Sequence, residues 1–291
     1  METMGNSSSK SQEESKTTQT STSEPSTNET STLMPSFFIG HGSPTIVIDD
    51  DAFPKFLTKF AKKIPTPKAI VLFSAHWDKE VQTISCVNGE YKMIYDFGGF
   101  PKEMFSMVYP AKGNPELAEE IQGLLKQNKI ECSLDKKRGI DHGTWTVLKL
   151  AYPKADIPLV QMSINGSGKI EDLYNIGKAL APLREKGVLI LGSGATSHNL
   201  GAANFYGKFG KVDKWASDFE NWIEKETTAW NTSNIFNYRK LAPGANQAVP
   251  YADHFVPYVI AMGSGDKNKK ATLEYKEFHF GNLSYTVWRF D

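Results

Sequence analysis

The amino-acid sequence predicts a single α/β domain: a central mixed, largely parallel sheet flanked by helices. Three observations carry that reading. Short apolar runs closed by small residues recur along the chain, the form a strand takes when both of its faces are buried. Segments of helical periodicity lie between them, and strands alternating with helices point to a parallel or mixed sheet. Three of the runs also deliver a histidine at their ends: Ser36–Gly42 (SFFIGHG) carries His41, Ala69–Asp78 (AIVLFSAHWD) carries His76, and Gly187–His198 (GVLILGSGATSH) carries His198. The carboxyl ends of strands are where open α/β sheets gather ligands.

Taken in order, residues 1–34 form a polar tail, and residues 1–33 are expected to be disordered because they hold too little apolar surface to offset their ordering entropy. The folded domain spans 35–291. After the first strand, Gly42 and Pro44 stop the run, and a helix is expected from about Ala52 to Lys63, ended by Pro65 and Pro67. Val81–Val87 and Tyr91–Tyr95 read as a hairpin turning at Asn88-Gly89. Asp96–Pro101 (DFGGFP) is a Gly-rich loop between aromatic residues. Asn114-Pro115 opens a helix over Glu116–Gln127, acidic early and basic late as the helix dipole favours. Lys136–Trp145 reads as a polar loop carrying His142, with a short helix over Thr144–Ala151. Pro158–Ile164 is another apolar strand, and Asp172–Lys186 a helix stopped by Gly187. Lys214–Trp230 is amphipathic, with Trp215, Phe219, Trp222 and Ile223 on one face. Asn237–Tyr251 is loop-like, Ala252–Met262 resumes apolar content, and Ala271–Phe290 alternates as two strands around Gly281-Asn282.

Composition excludes some classes of function. The 33 basic and 33 acidic side chains balance, so the chain offers neither nucleic acid nor an acidic membrane an electrostatic footprint. No stretch of about 18 apolar residues is present, as a membrane helix requires. Cys86 and Cys132 are isolated, which argues against a thiolate zinc site and for a reducing compartment; the expectation is a soluble cytoplasmic protein.

Six histidines are present: His41, His76, His142, His198, His254 and His279. All but His279 stand beside Gly, Ser, Ala or Asp at the ends of expected elements, where side chains converge; His279, inside the FHF of an expected strand, reads as structural. Neutral imidazoles meeting at one point suit Zn, Fe, Cu or Ni, so a metal site is expected at the C-terminal ends of the strands. Asp253, beside His254, reads as a carboxylate ligand, a partner of His254 or an N-cap, and Asp141 as an orienter of His142 or a turn cap. Gly192–His198 lacks the third glycine of a dinucleotide loop and the GxSxG of a nucleophile elbow, so neither reading is kept.

The blocks FFIGHGSP, LFSAHWD, YDFGGFP, YPAKGNPELA, GIDHGTW, DIPLVQMS, LGSGATSHNLG and DHFVPYVIAMG, in this order between Pro35 and Gly263, resemble the class III extradiol ring-cleavage dioxygenase superfamily. The likeness is closest to the 4,5-DOPA extradiol dioxygenase subfamily and its bacterial relatives. The resemblance implies one divalent metal ion per chain, Fe(II) for activity, with Zn(II) able to occupy the same site. By position it implies His41, His76 and His254 as ligands, with Asp253 the alternative to His254 as the third, His198 as a further ligand or an acid–base group, and His142 as the proton-handling histidine. Where plant members that make betalain precursors carry a His-Pro-type stretch, this chain has His198-Asn199-Leu200-Gly201.

The function expected is insertion of O₂ into a catechol-type substrate, DOPA-like or another catechol, by a monomer or small homo-oligomer. His142 or His198 would remove a catechol proton and later return one, a task that suits a group titrating near working pH. Trp77, Tyr95, Phe97, Phe100 and Trp145 are candidates for the ring-binding wall, Trp77, Tyr95 and Trp145 foremost. The alternatives are a zinc-dependent hydrolase using the same imidazoles and a catalytically inactive metal-binding homologue.

Overall fold

A computed structural model describes Met1 and residues 33–291. The disorder expected of the polar tail therefore lies almost wholly outside the described residues. Its last residue, Met34, is buried; its carbonyl accepts from Arg184 Nε at 2.6 Å.

Eight strands form one mixed sheet: β1 (Ser36–Gly40), β2 (Ala69–Asp78), β3 (Gln82–Ser85), β4 (Cys132–Asp135), β5 (Leu159–Ile164), β6 (Val188–Gly194), β7 (Ala271–His279) and β8 (Leu283–Phe290). Their spatial order is β4-β3-β5-β2-β6-β1-β8-β7. The four central strands, β5, β2, β6 and β1, run parallel; β3 joins β5 antiparallel, and β7 and β8 form an antiparallel hairpin on β1. The central strands are apolar on both faces because helices cover both. Along β2, Ile70 and Leu72 join one core with the helices Ala52–Phe60 and His142–Ala151, while Ala69, Val71 and Phe73 join another with Pro115–Gln127 and Ile170–Leu180. A third core, around Phe38, Phe219, Tyr258 and Trp288, seats the helices Lys214–Thr228 and Val256–Ser264.

Several elements depart from the sequence expectation for identifiable reasons. The hairpin at Asn88-Gly89 does not form. Both edges of β3 are already taken, by β4 on one side and β5 on the other, so no ladder is left for Tyr91–Tyr95. That segment instead pairs singly, Glu90 with Lys112 and Met93 with Ile140, and is pinned by Tyr91, whose hydroxyl bonds Ser85 Oγ at 2.6 Å and the Leu159 carbonyl at 3.0 Å. The short partner strand β4 was not anticipated. The helix expected over Asp172–Lys186 is two, Ile170–Leu180 and Pro182–Glu185, because Pro182 lacks the N–H a continuous helix needs. Asn237–Tyr251, expected as a loop, holds the short helices Tyr238–Leu241 and Ala245–Ala248. Among the described residues, no helix is long and apolar enough to cross a membrane.

Candidate metal centre and substrate cavity

Strand register brings the first two histidines together. Ile39 of β1 pairs with Ser193 of β6, and Ser193 pairs with Ser74 of β2. His41 and His76 each stand two residues beyond that common rung, so both leave the sheet at the same edge and on the same face. Around His76 the ladder to β5 slips: Phe73 pairs with Met162 but Asp78 with Ile164, so five steps along β2 match two along β5. Such a bulge is a device that re-aims side chains beside functional sites. His41 Nε2 and His76 Nε2 meet at 3.1 Å.

His254 reaches them from the segment that leads into the helix Val256–Ser264. Gly194 permits this: a Cβ there would stand 2.1 Å from the His254 carbonyl oxygen, and the neighbouring Ala195 N–H donates to that oxygen at 2.9 Å. Imidazole nitrogens of His41, His76 and His254 all lie within 4.8 Å of one another. The close approach of Gly192 to the Pro257 carbonyl gives the GSG sequence its structural role, helix-to-strand packing.

Neighbouring groups fix the tautomers. Ser193 Oγ donates to the Gly143 carbonyl at 2.5 Å, so it accepts from His41 Nδ1–H at 3.0 Å and leaves His41 Nε2 with its lone pair. His76 Nδ1 faces Asp96 Oδ2 at 3.4 Å, which turns Nε2 toward His41. Two lone pairs therefore confront each other at 3.1 Å. His254 is buried with neither ring nitrogen hydrogen-bonded, although Nδ1 lies 3.2 Å from Asp253 Oδ2 without bonding alignment. Asp253 is not the cap of the following helix, whose N-cap is Phe255; its Oδ1 accepts from the His254 backbone N–H at 2.8 Å. Confronted lone pairs and an unpartnered buried imidazole are the donor set a divalent ion fits.

Burial, reinforced by the other imidazoles, holds the pKa of His41 and His254 well below the usual value and brings His76 down to about 4; burial also takes His198 to about 4. All four are thus neutral donors near pH 7.

His142 is not in a loop. It is the first residue of the helix His142–Ala151, and Asp141 occupies the N-cap position without making the capping bond. Asp141 does not orient His142 either. It is wholly buried and accepts from Ser74 Oγ (2.6 Å), Gln161 Nε2 (2.7 Å) and Arg138 (3.0 Å), tying β2, β5 and the helix start together. The partner of His142 is Asp96, whose Oδ1 accepts from the His142 backbone N–H at 3.0 Å and from Nδ1–H at 2.9 Å. Burial alone would raise the Asp96 pKa, but the bonds from His142 dominate and lower it to about 2. His76, Asp96 and His142 form a second tight group of possible ligand atoms. His198 stands outside both groups; its ring stacks on His254 with centroids 3.7 Å apart and planes at 8°. His279 belongs to neither group; it is buried and stacked 3.8 Å from Tyr285.

The histidines open onto a cavity of about 690 Å³, a size that accepts a small aromatic molecule. Phe97, Phe100, Phe205, Phe280, Tyr251 and Leu283 contribute to its walls. Trp77, Tyr95 and Trp145 do not line it. Trp77 follows His76 on the strand and so faces the opposite side, under the Arg138 guanidinium at 4.7 Å. The Tyr95 hydroxyl donates to the Met107 carbonyl and Trp145 Nε1 to that of Ile94, which places both behind the wall. Asp96 and Ser193 received no role from the sequence; their partners are 46 and 152 residues away, and no local spacing signals such pairs.

Residues 36–288 match the family described as the catalytic LigB subunit of aromatic ring-opening dioxygenase. The chain is 39% identical over 259 residues to the 4,5-DOPA dioxygenase extradiol of Beta vulgaris, an alignment covering 88% of this chain and 96% of that protein. It is 34% identical over 259 residues to the protein of the same name from Escherichia coli K12, covering 87% and 93%. A crystal structure of an uncharacterized protein from Escherichia coli K12 superposes with a TM-score of 0.77 at 30% identity, covering 89% of this chain and all of that one.

Proposed function

The chain belongs to the family of the catalytic LigB subunit of aromatic ring-opening dioxygenases and is an extradiol ring-cleaving dioxygenase, and we propose that His41, His76 and His254 hold its one divalent ion while His142 moves the protons. The observation that carries this assignment is the confrontation of His41 Nε2 and His76 Nε2 at 3.1 Å beside the unpartnered ring of His254. Fe(II) is the ion we assign for activity: His41, His76 and His254 would hold it, and it would supply the redox chemistry toward O₂ that zinc in the same ligands lacks.

The chain's own residues do the rest. The aromatic walls hold the catechol ring and keep bulk water from the reacting edge. Asp96 commits His142 Nδ1 as a donor, so Nε2 is the free base that takes a catechol hydroxyl proton and returns it as the ring opens to a muconic semialdehyde. The Asp96 carboxylate steadies the imidazolium formed in between. His198, stacked on His254, borders the same space as a second proton-handling group. Two isolated free cysteines support a reducing compartment, the cytoplasm, as its location.

The test is metal analysis coupled to O₂ uptake with a catechol panel. His41→Ala, His76→Ala and His254→Ala should lose the ion, whereas His142→Ala should retain it and lose about 10²–10⁴-fold in turnover. A zinc-loaded, iron-free sample that consumed O₂ with catechol, or a His142→Ala enzyme of near-normal turnover, would defeat the assignment.

A further inference from the structure

The cavity's charges are unbalanced in a way that bears on its substrate. Two carboxylates, Asp96 and Asp253, line it, and among the described residues no lysine or arginine does. Two cations of adjacent segments are committed elsewhere. Arg138 bonds Asp141 at 3.0 Å and stacks on Trp77, and Lys208 lies between Asp49 and Asp51 at 2.6 Å from each. Two neutral donors of the lining are engaged: Asn199 Nδ2 donates to the Gln247 carbonyl at 2.8 Å, and Ser43 Oγ pairs with Thr45 Oγ1 at 3.0 Å.

The remaining wall is aromatic. Phe97 and Phe100 pack at 5.5 Å and Phe205 and Phe280 at 5.3 Å, and all four border the cavity. The faces of such rings are electronegative: they attract an ammonium group and repel an anion. A carboxylate carried into this space would lose its water, find no lysine or arginine on the walls, and meet Asp253, whose side chain is 37% exposed. An amine would meet aromatic rings and a carboxylate, and an alkyl arm would meet apolar surface.

We propose that this enzyme selects catechols whose ring substituent is neutral or ends in an amine, and discriminates against a substituent ending in a carboxylate. The inference rests on the cavity being the catechol site. Discrimination acts at the outer wall, away from the ion that receives the two hydroxyls, so it is expected mainly in affinity.

The experiment compares three probes that share the catechol ring: 4-ethylcatechol, dopamine and 3,4-dihydroxyphenylacetate. Dissociation constants are measured by anaerobic calorimetry on the full metal-loaded chain, and kcat/KM by O₂ uptake. The carboxylate should bind at least tenfold more weakly than each of the other two; a ratio below tenfold, or a reversed one, would overturn the proposal. Leu200, which lines the cavity and is 55% exposed, offers the converse test. Leu200→Arg should bring the carboxylate to within threefold of 4-ethylcatechol, and a ratio unchanged from the wild type would equally refute the proposal. Should none of the three be ring-opened, the assignment of the site would fall, while the dissociation constants would still measure the selectivity.

Discussion

Asp96 grips His142 at two points, one carboxylate oxygen accepting from the backbone N–H at 3.0 Å and from the ring Nδ1–H at 2.9 Å. Its other oxygen faces His76 Nδ1 at 3.4 Å. A single carboxylate thus sets the orientation of one imidazole assigned to the ion and one assigned to protons, across 46 residues of chain.

Replacing it separates those duties. Asp96→Asn keeps the shape but removes the charge and can present an N–H to His142, favouring the wrong tautomer. The loss should fall on kcat, about 10–100-fold, with KM changed far less and metal content retained. Steady-state kinetics beside metal analysis checks this; an unchanged kcat would deny Asp96 its orienting role.

Ser193 supports His41 in the same manner, and its hydroxyl relays that support to the Gly143 carbonyl. Ser193→Ala should free the His41 ring and weaken metal affinity by about 10–100-fold. Competition against a chelator measures that directly, and the thermal midpoint should fall as well, since ligand binding to the native state alone stabilises it.

The cavity wall differs from the aromatic set the sequence favours. Phe97 packs edge-on against His142 at 5.8 Å and lines the cavity, whereas Trp77 does not. Phe97→Ala should therefore raise KM for catechol by about tenfold or more, the order lost with a ring contact of 1–2 kcal/mol. Trp77→Phe should leave KM within about twofold and instead lower stability by about 1 kcal/mol through lost packing. Kinetics and denaturant titration of the two variants distinguish these outcomes.

Glu220 predicts a pH dependence of stability. It is buried beneath the β6–β8 side of the fold, accepts from Thr196 Oγ1 at 2.5 Å, and burial raises its pKa to about 7. The folded state therefore holds a proton that the unfolded chain releases near pH 4.5. Stability from this group is complete below about pH 4.5 and is lost as pH rises through about 7, by up to about 3 kcal/mol. Glu220→Gln should remove that decline, so the variant should exceed the wild type in urea resistance at pH 8 more than at pH 5.

The extent to which this protein was legible in its sequence follows the range of the forces involved. Burial on both faces writes a strand as a continuous apolar run, so β1, β2, β5 and β6, the helices between them, and the histidines at their ends could be read directly from composition and period. The family could be read from eight short blocks in order. Pairing could not. Asn88-Gly89 is a strong local hairpin signal, yet both edges of β3 are occupied by β4 and β5, strands from remote parts of the chain. Register alone decides that His41 and His76 stand above one rung. The contacts of Asp96 with His142, of Ser193 with His41, and of Gly194 with the His254 carbonyl join residues 46, 152 and 60 positions apart. Sequence fixes which side chains are available to such a site. Only the folded sheet decides which nitrogen faces which neighbour, because hydrogen bonds and metal ligation act over about 2–3 Å and nothing in a one-dimensional pattern specifies distances that small between remote segments.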